Sequence, residues 1–153
     1  MTSLDATAGE KKWPEQADIR IDINPRSPDV IKMDATDLKF PDSYFDEIYF
    51  RPPYCINPGR LRLLGRWAFF FKKGDWERFL KLSSRQFWRC LKADGRLICN
   101  VDEGAWFGMA HYNDMVTNLE VEGWMVDKDE TAWLGLDFPY GNHLRHIITF
   151  RKT

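Results

Sequence analysis

An α/β fold with a mainly parallel sheet is what this sequence predicts, and three observations carry the prediction. Short apolar-rich runs alternate with helical patterns along the chain, which is the signature of parallel strands joined by crossovers. The last two extended runs have no helix between them, so they are expected to pair antiparallel. A length of 153 residues suits one domain, able to bury roughly 70% of its unfolded surface without a metal or disulfide staple.

The elements follow in order. Residues 1–16 (MTSLDATAGEKKWPEQ) are small and polar and read as a loose lead-in, which leaves 17–153 as a single domain. Ala17 to Ile23 alternates Ile19, Ile21 and Ile23 with Asp18, Arg20 and Asp22, the period of a strand. Asn24-Pro25 ends it, because proline has no N–H and restricts the residue before it. Asp29 to Met33 is a second short extended run, PDSYFD a turn, and Asp46 to Phe50 a third strand stopped at Pro52-Pro53. Residues 56–74 fit a short helix or a folded-over loop. Asp75 is an apt N-cap for a helix to about Leu91, with Trp76, Phe79, Leu80, Ser83, Phe87 and Leu91 on one stripe and Asp94-Gly95 as its stop. Arg96 to Val101 reads as a buried strand and Ala105 to Leu119 as a helix. Glu122 to Trp133 and His143 to Arg151 are the final strands, with LGLDFPYGN as the loop between them.

Composition narrows the class. Hydrophobic residues make up 44% of the chain and aromatics 15%, too apolar for a disordered protein. Net charge is −1, so the global balance predicts no polyanion partner. Its distribution is uneven, because Arg51, Arg60, Arg62, Arg66, Lys72 and Lys73 fall between residues 51 and 74 with no acidic residue among them. Such a stretch is either a solvated face or a contact for nucleic-acid phosphate. The cysteines, Cys55, Cys90 and Cys99, are odd in number and lack metal spacing, so no metal site is expected. No run is long enough to span a bilayer, and a cytoplasmic protein without a membrane partner is the expectation.

Chemistry gathers where strands end. Asp22 closes one strand, Asp34 follows the next, and the third delivers Arg51-Pro52-Pro53-Tyr54. Open α/β sheets bind ligands outside the carboxyl ends of their strands. A carboxylate there can accept from both hydroxyls of a ribose, and a second carboxylate one strand over can accept from an exocyclic adenine amine. The pair reads adenosine.

On these residues the chain resembles the class I S-adenosylmethionine-dependent methyltransferases. The run IDINPRSPDVIKMDATDLKFPDSYFDEIYFRPPY is similar to the middle of that family, WRCLKADGRLICNV to its helix, turn and fifth strand, and HLRHIITFRK to the last strand of its DNA amino-methyltransferases. The resemblance implies a Rossmann-like fold, truncated at the N-terminus, with an antiparallel C-terminal pair. It implies S-adenosylmethionine as cofactor, bound by Asp22, Ile23, Asp34, Ala35, Phe50 and Arg51. It also matches Asp42 and Phe45-Asp46 to the run before the family's fourth strand. Pro52, Pro53 and Tyr54 resemble the motif that methylates exocyclic amines of adenine or cytosine, and carry the expected catalytic role. There an acceptor must bind the amine N–H, and the aromatic stacks on a flipped base.

Two departures stand beside the resemblance. Arg51 leads the motif where the family has an acceptor, and guanidinium only donates. Gly9 is the one glycine before Asp22, so the glycine-rich loop is absent, shortened or supplied by a partner chain or second copy. Three readings follow: a methyltransferase acting on a nucleobase amine in DNA, a catalytically reduced binding module or partner subunit, and an enzyme acting on another small nucleophile or on S-adenosylmethionine itself. His143 and His146, without an acid at triad spacing, read as structural, and Asp102-Glu103 as a solvated strand end.

Overall fold

The computed structural model describes residues 1–7, 17–25, 27–51, 73–104, 110–137 and 141–153. Strands β1 (Ser3–Asp5), β2 (Ile19–Asp22), β3 (Ile31–Lys32) and β4 (Phe45–Phe50) come first. Helix α1 (Lys73–Cys90), β5 (Leu91–Gly104), α2 (Ala110–Val121), β6 (Met125–Asp137) and β7 (Gly141–Arg151) follow. They form one seven-stranded sheet in the order β3-β2-β1-β4-β5-β7-β6. β1 to β5 pair parallel, and β7 runs antiparallel to both β5 and β6. The mainly parallel sheet and its antiparallel C-terminal pair are as expected from the sequence.

The start of the chain is a correction. Ser3–Asp5 is no lead-in but a strand inside the sheet, parallel to β2 on one side and β4 on the other. Leu4 is fully buried, and the polar residues beside it are satisfied rather than solvated. Ser3 exchanges bonds with Asp18, and Asp5 pairs with Arg20 at 2.7 Å with both side chains buried. Below them Thr2 donates its N–H to the Asp46 carboxylate, and Thr2 O accepts from Asp46 N, each at 2.8 Å. Thr2 and Lys92 together hold the Asp46 carboxyl below its ordinary range.

α1 and α2 pack on one face of the sheet. Their stripes of Trp76, Leu80, Phe87, Met115 and Leu119 close over Leu4, Ile21, Ile48, Phe50, Leu97, Cys99, Ile148 and Phe150. Phe50 meets Phe87 edge-on at 4.9 Å. The opposite face alternates to polar residues, locked across strands as Asp5–Arg20 and Glu47–Arg96, the latter at 2.6 Å. Among the described residues the helices cover one face of the sheet.

Other boundaries move for local reasons. α1 ends at Cys90, and β5 begins at Leu91, so Asp94-Gly95 sits inside the strand rather than at a helix stop. Gly95 is needed there because an added Cβ would lie 2.9 Å from Leu91 Cδ2 and 3.1 Å from the Asp46 carbonyl. Gly123, at φ 100°, terminates α2 instead, with Trp124 N donating to Leu119 O at 3.0 Å. β6 runs on to Asp137 through part of the expected loop, absorbing a register shift between Leu134 and Asp137. Cys90 and Cys99 are buried free thiols. Among the described residues no helix is long and apolar enough to cross a membrane.

Candidate functional site

The carboxyl ends of β2, β1 and β4, with the stretch of β5 level with them, form one edge, and the strand registers set which residues stand there. Asp5 is level with Arg20 and Tyr49, and Phe50 with Cys99. Two residues past Asp5, Arg20 and Tyr49 come Thr7, Asp22 and Arg51, and one past Cys99 comes Asn100. The edge therefore reads Asp22, Thr7, Arg51, Asn100 along successive strands.

Asp22 is partly exposed at the end of β2, with Oδ1 accepting from Asn24 N at 2.8 Å. This self-made turn fixes the carboxylate before Pro25 redirects the chain. Its carbonyl accepts from Met33 N at 3.1 Å, which ties the end of β2 to the end of β3. Beside it Ile23 is 61% exposed, a large apolar side chain left in solvent at the mouth of the edge. Asp34, also partly exposed, accepts on Oδ1 from both the N–H and the hydroxyl of Thr36 at 2.8 Å. Ala35 is buried under that turn and belongs to the core.

Phe50 and Arg51 divide differently. The Phe50 ring is 1% exposed and lies between Phe79 and Phe87, so what it presents at the edge is main chain. Arg51 is half-buried, and its N–H donates to Thr7 Oγ1 at 2.8 Å. That bond ties the end of β4 to the turn after β1. Pro52, Pro53, Tyr54 and the basic stretch from residue 52 to 72 lie outside the described residues, as does Gly9.

The matched motif residues Asp42 and Asp46 stand at the other end of β4, away from this edge. Asp42 accepts from Arg89 Nη1 at 2.8 Å, while Arg89 also donates to the carbonyls of Leu38 and Phe40. Their part is to fasten α1 and β1 to the base of the sheet.

Sequence reasoning missed three features. The Asp5–Arg20 pair and Thr7 were hidden because a three-residue strand with two polar positions has no apolar period. Asn100 is 2% exposed in β5, and its Oδ1 has no hydrogen-bond partner among the described residues. The third is His146, which does have an acid neighbour. Its Nδ1 lies 3.6 Å from Asp129 Oδ1 and 3.0 Å from Thr131 Oγ1, and its ring stacks on Tyr112 at 3.9 Å. Tyr112 in turn donates to Asp129. Antiparallel pairing brings residues 129 and 131 beside 146, a contact that sequence spacing alone does not show.

No known family's sequence profile matches the chain, and no curated protein matches it. Solved structures do. An S-adenosylmethionine-dependent methyltransferase from Methanosarcina mazei superposes with a TM-score of 0.63 at 14% identity, covering 99% of this chain and 92% of that one. A 1,6-didemethyltoxoflavin-N1-methyltransferase from Burkholderia thailandensis, solved with S-adenosylhomocysteine and 1,6-didemethyltoxoflavin, gives 0.63 at 13% identity, covering 99% and 71%. A proposed DNA modification methylase from Thermus thermophilus gives 0.54 at 20% identity, covering 78% of this chain and 50% of that one. The chain thus has the Rossmann-like class I methyltransferase fold, and its structural neighbours include S-adenosylmethionine-dependent methyltransferases.

Proposed function

We propose that this protein binds S-adenosylmethionine at the Asp22 edge and methylates an exocyclic amine of a nucleobase in DNA. The observation that carries the reading is the pair of part-exposed carboxylates on adjacent strand ends, with the 61% exposed Ile23 beside them. Two acceptors and an apolar face are what an adenosine needs, so the residues present fit the group. Asp22 accepts from the ribose hydroxyls, Asp34 from the adenine amine, and Ile23 covers one face of the ring. Ala35 leaves room beneath Asp34, and the Phe50 and Arg51 main chain borders the site. When bound, the cofactor supplies an electrophilic methyl group on a sulfonium. The chain's contribution is to orient the two reactants and exclude water between them. Pro52, Pro53 and Tyr54 are assigned to hold the flipped base, and the basic residues from Arg51 to Lys73 its phosphates.

Arg51 favours a second reading, a catalytically reduced binding module, because it offers only donors at the head of the motif and carries the same charge as the sulfonium.

Calorimetry with S-adenosylhomocysteine tests the cofactor half. Asp22→Ala should weaken binding by about 1–3 kcal/mol, the cost of leaving ribose hydroxyls unpaired; unchanged affinity would remove the ribose assignment. Transfer of labelled methyl from S-adenosylmethionine to DNA tests the other half. Cofactor binding with no transfer to adenine or cytosine, in single or double strands, would rule out the DNA-amine reaction and leave the binding module or an enzyme acting on another small nucleophile.

A further inference from the structure

Most polar side chains buried on the sheet's second face are satisfied. Asp5 has Arg20, Ser3 has Asp18, and Glu47 has Arg96 and the Tyr49 hydroxyl. Asn100 is different. Strand alternation sends Leu97, Cys99 and Val101, all fully buried, into the helix-covered core. Asn100 therefore points the other way, with Arg96, whose pairing to Glu47 marks that face. There it is 2% exposed, and its amide oxygen has no partner among the described residues. An orphaned buried carbonyl costs stability, and Leu, Ile or Val would fill the same strand position without that cost. Asn100 lies within β5, level with the end of β4, and a buried polar group left unpaired there asks for a ligand that pairs it.

Its position says which one. Asn100 stands one residue beyond the Phe50–Cys99 pair, so it neighbours Arg51 across the β4–β5 ladder. The widths of β1 and β4 separate it from Asp22. The edge thus has a carboxylate at one end, an acceptor at the other, and Thr7 and Arg51 between.

We propose that Asn100 Oδ1 accepts an N–H of the methyl-accepting amine, the role that Arg51 at the head of the motif cannot fill. This rests on the reading of the Asp22 edge as the cofactor site. Holding one N–H turns the nitrogen lone pair out of conjugation and toward the methyl group. The nitrogen forms its bond to the methyl carbon as the carbon–sulfur bond breaks, and that bond's electrons return to sulfur, which loses its charge. The proton that nitrogen then sheds passes to water, because a neutral amide accepts a hydrogen bond but takes no proton.

The test uses the protein loaded with S-adenosylhomocysteine and short single-stranded deoxyoligonucleotides. One pair carries adenine or purine at a single position, another cytosine or 2-pyrimidinone, so each pair differs only by the amine. Wild type should bind one amine-bearing member at least about tenfold more tightly than its partner, a single well-made hydrogen bond's worth. Asn100→Leu should erase that preference while leaving S-adenosylhomocysteine affinity unchanged and the urea midpoint equal or higher. Asn100→Asp, which keeps an acceptor, should retain it. A preference that survives in Asn100→Leu overturns the proposal while leaving the cofactor reading intact, and so does a wild type that binds S-adenosylhomocysteine but prefers neither amine. Failure of wild type to bind S-adenosylhomocysteine overturns the cofactor reading and the proposal with it.

Discussion

On one side of β4, strands β1, β2 and β3 are 3, 4 and 2 residues long. On the other, β5, β6 and β7 run for 14, 13 and 11. The long side is held by an apolar core under two helices, where Phe87, Leu97, Ile148 and Phe150 are all fully buried. On the short side Leu4 and Ile21 reach that core, but the strands are clasped to one another by polar pairs: Asp5–Arg20, Ser3–Asp18 and Thr2–Asp46. Ladders this short contribute few hydrogen bonds, so register on that side depends on the side chains. The candidate carboxylates both stand on the lightly built side. The arrangement is an apolar scaffold with a small candidate edge attached by specific contacts.

The sharpest way to break the comparison is to remove packing from the long side. Phe87→Ala takes a fully buried ring away from Phe50 and should cost about 3–5 kcal/mol, read as a fall in the urea midpoint of the whole domain. A loss confined to one region, with the remaining strands still protected, would contradict a single shared core.

A smaller effect is expected on the short side. In Asp5→Asn the amide oxygen still accepts from Arg20, but the charge is lost, at a cost of about 2 kcal/mol. Hydrogen exchange should quicken at β1 and β2 while β5 and β7 stay protected. Asp5→Leu combined with Arg20→Met, which leaves no buried charge unpaired, should recover much of the loss. Uniform acceleration across the sheet would mean that the two sides are not separable.

The smallest effect is alkaline. Burial raises the Cys99 and Cys90 thiols above their ordinary value of 9.0. Burial and the Glu47 carboxylate hold the Tyr49 hydroxyl at about 12. The unfolded chain ionises these groups at their ordinary values and the folded chain resists. Their contribution is therefore complete below the unfolded values and is lost as pH climbs past them. Lys152, lowered by burial, acts in the opposite sense near its own ordinary value of 10.5. Between pH 7.5 and 9.5 stability should fall by about 1 kcal/mol through Cys99, and Cys90 adds to the fall in the same direction. Cys99→Ala should lower the midpoint at both values and narrow the difference between them.

How legible the molecule was in its sequence follows the same division. β4, α1, β5 and β7 announce themselves because apolar side chains recur at the period of the element that buries them, as in Trp76, Leu80 and Phe87 or in Ile148 and Phe150. Asp22 and Asp34 were legible as residues following extended runs. β1 was not, because its stability comes from partners 15 and 44 residues away, Asp18 and Asp46. The same holds for His146 with Asp129, and for Asn100, whose unpaired oxygen exists only once the strand alternation is known.

The placement of β1 has a consequence for how the chain assembles during synthesis. This inner strand of the sheet leaves the ribosome before either neighbour, and three residues cannot hold a conformation alone. Thr2 and Leu4 must wait until Asp46 and Ile48 have been made before the second side of the strand can close. Contacts at such separation carry a loop-closure penalty before they return anything. The innermost strand of the short side is thus captured late, onto a β4 that is already forming, although it is translated first.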